Sequence, residues 1–92
     1  MFSGFLQIET NDVYLFCLTS DDGSRLIIDG EVVVDNDGLH GSQELLGTIP
    51  LAKGWHPVTV EWFNKTGGAV LHLQMGVMGG TVEDIPSSSF AQ

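Results

Sequence analysis

The chain has 92 residues, 42% of them hydrophobic and 16% charged, which is the composition of a single globular domain spanning residues 1–92 with one modest core, not of a disordered segment. Twelve acidic residues against three basic ones give a formal net charge of -9, a surface that repels phosphate backbones and anionic lipid and so argues against nucleic acid and membrane partners. One cysteine permits no intrachain disulfide, no apolar run reaches membrane-spanning length, and no signal peptide is visible at Met1–Gly4.

Gly4 to Glu9 alternates apolar and polar residues in its second half, which predicts a half-buried strand near Phe5–Glu9. Thr10-Asn11-Asp12 is a turn cluster. Val13–Thr19 is apolar on both faces, as a central, well-covered strand is, and Cys17 within it reads as a small buried hydrophobe. Ser20-Asp21-Asp22-Gly23 is a turn. It leads into a strand at Arg25–Ile28, then Asp29-Gly30, then a strand at Val32–Val34. Asp-Gly between two β-branched runs is a strong signal for a type I′ hairpin, whose two central residues need positive φ. Asp21 and Asp22 therefore sit at the mouth of a tight hairpin. Paired carboxylates on a rigid β rim suit an oxygen-liganded cation. The plainer alternative is that they hydrogen-bond the turn's own backbone amides. Half of the acidic residues fall between Asp21 and Asp37, which fits either a solvated surface or a local supply of oxygen ligands.

Asp35 to Ser42 is a loop by composition. Its Asp-x-Asp-Gly portion lacks the long ligand series and flanking helices of an EF-hand. Asp37 and His40 are candidate ligands here, against a plain surface turn for Asp37 and a structural hydrogen bond for His40. Glu44–Leu51 predicts a strand that Pro50 pushes toward a sheet edge. Lys53-Gly54 is a turn, and Val58–Phe63 carries the cleanest period-two pattern in the chain. Asn64-Lys65-Thr66 is a glycosylation sequon inside a hairpin loop, and Ala69–Val77 resumes the strand pattern. Glu83 and Asp84, in a tail rich in Gly and Ser, read as solvated charge. Many short strands, frequent turns and no helical period predict an all-β antiparallel β-sandwich. The expected core comprises Leu6, Ile8, Leu15, Cys17, Leu26, Ile28, Val58, Val60, Trp62, Leu71 and Leu73.

The run Ser20-Asp21-Asp22-Gly23-Ser24-Arg25-Leu26, with Ile28-Asp29-Gly30, Val33-Val34-Asp35-Asn36 and Gly38-Leu39-His40-Gly41, resembles the protective-antigen-fourteen (PA-fourteen) domain. That β-sandwich module occurs in bacterial toxins, glycosidases and yeast flocculation adhesins. The resemblance continues through Gly47-Thr48-Ile49-Pro50-Leu51, Lys53-Gly54-Trp55-His56-Pro57 and Val58–Phe63, and covers roughly Gly4 to Leu73. It implies a noncatalytic, extracellular or cell-surface carbohydrate-binding or adhesion module. Asp21 and Asp22 match the family's paired aspartates, which in the flocculin branch hold calcium that in turn binds glycan hydroxyls. The further ligands of that branch come from a later loop, for which Gly79 to Asp84 is the nearest candidate. The family also carries strands before the segment that matches Phe2-Ser3-Gly4, so an edge of the sheet is expected to need covering. The expected cover is a second copy of the chain in a homo-oligomer or a host protein, ahead of the chain's own tail.

No nucleophile elbow, phosphate loop, zinc spacing or dinucleotide fingerprint is present. Asp21 and Asp22 do not make a glycosidase pair either, because such carboxylates flank a scissile bond about 5–10 Å apart and adjacent residues in one turn cannot. The rival to a glycan module is a structural or self-assembling subunit without a ligand.

Overall fold

In the computed structural model, which describes residues 2–20, 23–36, 43–62 and 71–92 (backbone alone for Gln43, Trp62 and Leu71), antiparallel strands form two facing sheets. The strands are β1 (Phe2–Ile8), β2 (Asp12–Ser20), β3 (Ser24–Ile28), β4 (Glu31–Asn36), β5 (Gln43–Leu51), β6 (Gly54–Trp62), β7 (Leu71–Val77), β8 (Glu83–Asp84) and β9 (Phe90–Ala91). One sheet has the order β4-β3-β6-β1-β9 and the other β5-β2-β7-β8. Among the described residues the only helical element is a 3-10 turn at Ser87–Ser89, and no helix is long and apolar enough to cross a membrane. The all-β sandwich expected from the sequence is therefore the fold. β1 and β6 start earlier than the sequence predicts, at Phe2 and Gly54, while Phe63, Ala69 and Val70 lie outside the described residues.

The Asp-Gly hairpin forms as its chemistry requires. Asp29 and Gly30 take φ of 54° and 80° and join Ile28 to Glu31 directly across the ladder. Farther along this pair the register slips between Leu26 and Ile27, leaving Val33 as an extra residue on β4. A bulge of this kind bends its strand and redirects the extra residue. Val33 packs against the core, and its carbonyl oxygen comes so close to β5 that a Cβ at Gly47 would run into it. Pro50 lies on β5, an edge strand, where a missing donor is harmless.

Leu6, Ile8, Tyr14, Phe16, Leu18, Leu26, Ile28, Val34, Ile49, Leu51, Val58 and Val60 form the core between the sheets. The expected face of β2 is corrected here. Phe16 and Leu18 point inward and are fully buried, whereas Leu15 is only half-buried. Cys17 is buried but lies outside the inter-sheet cluster. β2 is apolar on both faces, so alternation gave no contrast, and the larger Phe16 fills the inter-sheet space. Burial, and then a hydrogen bond with Glu44, push the Cys17 thiol above its usual pKa, so it is an unreactive side chain.

The tail closes the sandwich. β8 pairs with β7, Asp84 opposite Gln74, and β9 then crosses to the other sheet, placing Phe90 and Ala91 opposite Leu6 and Phe5. Phe90 stands edge-on to Phe2 with ring centroids 5.5 Å apart, a favourable aromatic geometry. The β1 edge that a neighbouring copy was expected to cover is thus met at Phe5 and Leu6 by the chain's own tail. An intramolecular strand avoids the rotational and translational entropy that a second copy loses on association.

At the end of the sandwich that carries the β3–β4 turn, His56 ties two turns together. Its Nε2 lies 2.7 Å from the Ala52 carbonyl oxygen and its Nδ1 2.9 and 3.0 Å from the two carboxylate oxygens of Asp29. A carbonyl oxygen only accepts, so Nε2 carries a proton, and Nδ1 donates to the carboxylate when the ring is cationic. The Ala52 carbonyl does most to raise the His56 pKa. Burial opposes the rise and Asp29 adds to it.

Two predictions follow from this packing. Gly47→Ala should lose about 1–3 kcal/mol through forced separation of β5 from Val33, read as a lower urea midpoint with unchanged slope. The His56 clasp has a raised folded pKa, so its stabilisation is fully present below the ordinary value of 6.5 and is lost as pH rises through the higher folded value. The melting-temperature advantage of wild type over His56→Gln should therefore shrink with rising pH, and an advantage that grows would contradict the cationic clasp.

Candidate functional site

Six strand ends gather at the end of the sandwich away from the Asp29-Gly30 turn. Ser20, the last residue of β2, lies opposite both Gln43 of β5 and Leu71 of β7. Ser24, the first residue of β3, lies opposite both Asn36 of β4 and Trp62 of β6. The segments 21–22, 37–42 and 63–70 all connect residues of this rim. The four candidate ligands Asp21, Asp22, Asp37 and His40 belong to the first two segments and lie outside the described residues, as does the sequon at Asn64. Their flanks are described, and they converge.

Beneath the rim is a buried polar knot. Ser20 Oγ and Ser24 Oγ are 2.6 Å apart, and Asn36 Nδ2 donates to Ser20 Oγ at 3.3 Å. Ser20 and Ser24 are fully buried and Asn36 is 2% exposed. Buried hydroxyls and amides are tolerated only when hydrogen-bonded, and among the described residues no buried side-chain polar atom lacks a partner. β2 belongs to one sheet, β3 and β4 to the other, so the knot joins the two sheets where the chain crosses between them. The corner that carries Asp21 and Asp22 is thereby held at both ends.

On the outer surface of the same rim, Arg25 lies 3.5 Å from Asp35 and 3.7 Å from Glu61. Such part-exposed pairs are worth about 0.2–1 kcal/mol each, so they orient Arg25 more than they stabilise the fold.

Asp84, read from the sequence as a solvated charge, accepts hydrogen bonds from His72 Nε2 at 2.6 Å and Gln74 Nε2 at 3.1 Å. The His72 bond, then the Gln74 bond, hold its carboxyl below the usual carboxylate range. It stands opposite Gln74, three residues or about 10 Å of strand from Leu71. Asp84, in the segment expected to supply further ligands, is thus engaged in the tail's attachment to β7. A cleft of about 360 Å³ lined by Gln7, Glu9, Tyr14, Met75, Pro86 and Ser89 is at the opposite end of β1 and β7 from the rim. No group of three or more His, Cys, Asp or Glu that could hold a metal occurs among the described residues.

The Ser-Ser-Asn knot and the His56 clasp were both missed by sequence reasoning. The repeated serine either side of Asp21-Asp22-Gly23 was the available signal for the first. Ser24→Ala should cost about 1–3 kcal/mol, the penalty for a buried polar group losing a partner. In a double-mutant cycle, Ser20→Ala combined with Ser24→Ala should cost less than the sum of the two single losses, because the bond they share is lost only once. Additive losses would show the two hydroxyls to be independent.

A family model for the PA14 domain matches residues 1–88. Among solved structures, an anti-sigma factor domain-containing protein is 26% identical, with a TM-score of 0.87 over 97% of this chain and 31% of its own. The PA14 sugar-binding domain from an RTX adhesin is 25% identical, with a TM-score of 0.81 over 97% of this chain and 51% of its own. The PA14 domain of MpAFP antifreeze protein shares the fold at 22% identity, with a TM-score of 0.85 over 96% of this chain and 48% of its own. The chain thus spans a third to a half of the structures it matches. No curated protein matches it.

Proposed function

The chain belongs to the PA14 domain family, and from that membership we propose that it is a noncatalytic carbohydrate-binding or adhesion module of the extracellular space or cell surface. In this reading Asp21 and Asp22 hold calcium, and Asp37 and His40 are further ligand-binding residues. The observation that carries the reading is the convergence of Ser20, Ser24, Asn36 and Gln43 on one rim, pinned below by the buried knot. Binding groups on loops are effective where a rigid scaffold fixes the loop ends. The likeness to a sugar-binding PA14 domain from an adhesin at 25% identity supports the same choice.

Calcium takes six to eight oxygen ligands, and two adjacent carboxylates supply only part of that shell, leaving coordination sites for sugar hydroxyls. A catalytic reading lacks support, because two neighbouring residues at one corner cannot flank a glycosidic bond. The rival reading, an assembly subunit without a ligand, loses its main motive at the β1 edge, where the tail already pairs with Phe5 and Leu6.

A ligand that binds only the folded state raises the melting temperature. Millimolar calcium should raise that of the wild type, and Asp21→Asn combined with Asp22→Asn should remove the rise. A glycan array should give calcium-dependent signals that the same double variant loses. An unchanged wild-type melting curve would leave the two aspartates a structural role, and concentration-dependent polymerisation without glycan binding would favour the assembly subunit.

A further inference from the structure

We propose that the outer face of the five-stranded sheet is a second carbohydrate surface, a stacking platform built on Trp55 and Phe5 that takes a neutral polysaccharide without calcium. In the β1–β6 ladder Phe5 lies opposite Pro57 and Gln7 opposite Trp55. Side chains two apart on a strand share a face, so Phe5 and Trp55 are diagonal neighbours, about 7–8 Å apart. This face is turned away from the core, since the intervening Leu6, Ile8 and Val58 are the buried ones. Trp55 is 49% exposed and Phe5 44%, and Pro57 between them is exposed as well. Rings on regular strands are held rigidly and lose little conformational freedom when they bind.

The surroundings of the rings select the occupant. Between the Ser3–Thr59 and Gln7–Trp55 registers neither strand contributes a charged side chain to this face. The next charge along β6 is Glu61, which faces Arg25 at 3.7 Å. Asp29, whose backbone bonds to Pro57, directs its carboxylate to His56. An uncharged strip on a chain of net charge -9 meets a neutral polymer without repulsion, whereas a polyanion is repelled by the surrounding surface. A pyranose ring presents apolar C–H faces edged by hydroxyls. The rings match the faces, while the Gln7 amide and the Ser3 and Thr59 hydroxyls, 3.4 Å apart, match the edges. A few placed polar groups among aromatics is the usual make-up of a small-molecule site. The apolar strip continues through Ile27 to exposed Val32, but Ser3, Gln7 and Thr59 interrupt it with polar groups. That favours a sugar over a second copy of the chain, since the core of a protein interface is more continuously apolar.

The platform is independent of the calcium rim and is tested apart from it. Wild-type protein is sedimented with microcrystalline cellulose, with chitin and, as a polyanion control, with immobilised dextran sulfate, all in excess EDTA. The expected result is retention on a neutral matrix and none on dextran sulfate. Trp55→Ala should weaken retention at least tenfold with an unchanged melting curve, and Trp55→Tyr should largely restore it. Phe5→Ala provides a second, independent loss, and the Asp21→Asn, Asp22→Asn double variant should bind as wild type does. The proposal is overturned if neither neutral matrix retains the protein in EDTA, or if folded Trp55→Ala and Phe5→Ala bind normally. It is equally overturned if the wild type dimerises through this face and the Trp55→Ala variant is monomeric.

Discussion

The hydrogen-bonded knot of Ser20, Ser24 and Asn36 is the constraint on which the six-strand rim of this molecule depends. Within four residues the chain leaves the four-stranded sheet and enters the five-stranded one, and three polar side chains are buried at that crossing. Burying them is unfavourable unless each finds a partner, and they find one another. Ser20 is also held between β5 and β7, and Ser24 between β4 and β6. The crossing is therefore fixed by backbone ladders on both sheets and by side chains between them. Moving it would disturb six strands at once, which gives the segments that leave this rim a rigid frame.

The same crossing separates what the sequence made legible from what it did not. Asp29-Gly30 announced its hairpin because positive φ at both positions restricts the residue types so strongly. Val58 to Trp62 announced its strand through contrast between faces, and Pro50 its edge position through a missing donor. The inward face of β2 was not legible, since Leu15 and Cys17 are as apolar as Phe16 and Leu18. Only the volume available between two sheets distinguishes them, and that volume is a tertiary property. β8 and β9 are two residues each, too short for any period to show. For the site, the Ser-Asp-Asp-Gly-Ser motif pointed to this corner by kinship, with Asp21 and Asp22 outside the described residues, while Ser20, Ser24 and Asn36 read as turn formers. Their burial depends on a partner 16 residues away in sequence, which no local pattern reports.

Glycine and proline mark where the two sheets approach each other and where they stop. The bulge at Val33 tips its carbonyl toward β5, and Gly47 gives it room. This is a close passage between β4 and β5, the edge strands at one side of the sandwich. At the other side the tail makes the closure, with β8 on one sheet and β9 on the other. Gly4 makes room there within the five-stranded sheet, since a Cβ would meet the Ala91 carbonyl of the neighbouring β9. Each side of the sandwich is thus closed by a main-chain approach that a side chain would obstruct, which explains glycines at positions where a strand would otherwise favour a larger residue.

The two ends of the sandwich are held by chemically different bonds, and this difference has a consequence for how the molecule responds to its surroundings. The described bonds of the rim knot join neutral hydroxyls and an amide, none of which titrates in the physiological range. The far end is clasped by His56 between Asp29 and Ala52, and its hydrogen bond to the carboxylate depends on a ring proton. Raising the pH therefore weakens the far end while leaving the knot intact. Local opening starts where stabilising contacts are fewest, so a rise in pH favours opening at the β3–β4 and β5–β6 turns that the clasp joins. A domain built this way can lose cohesion at one pole and still present its loops from a fixed frame at the other.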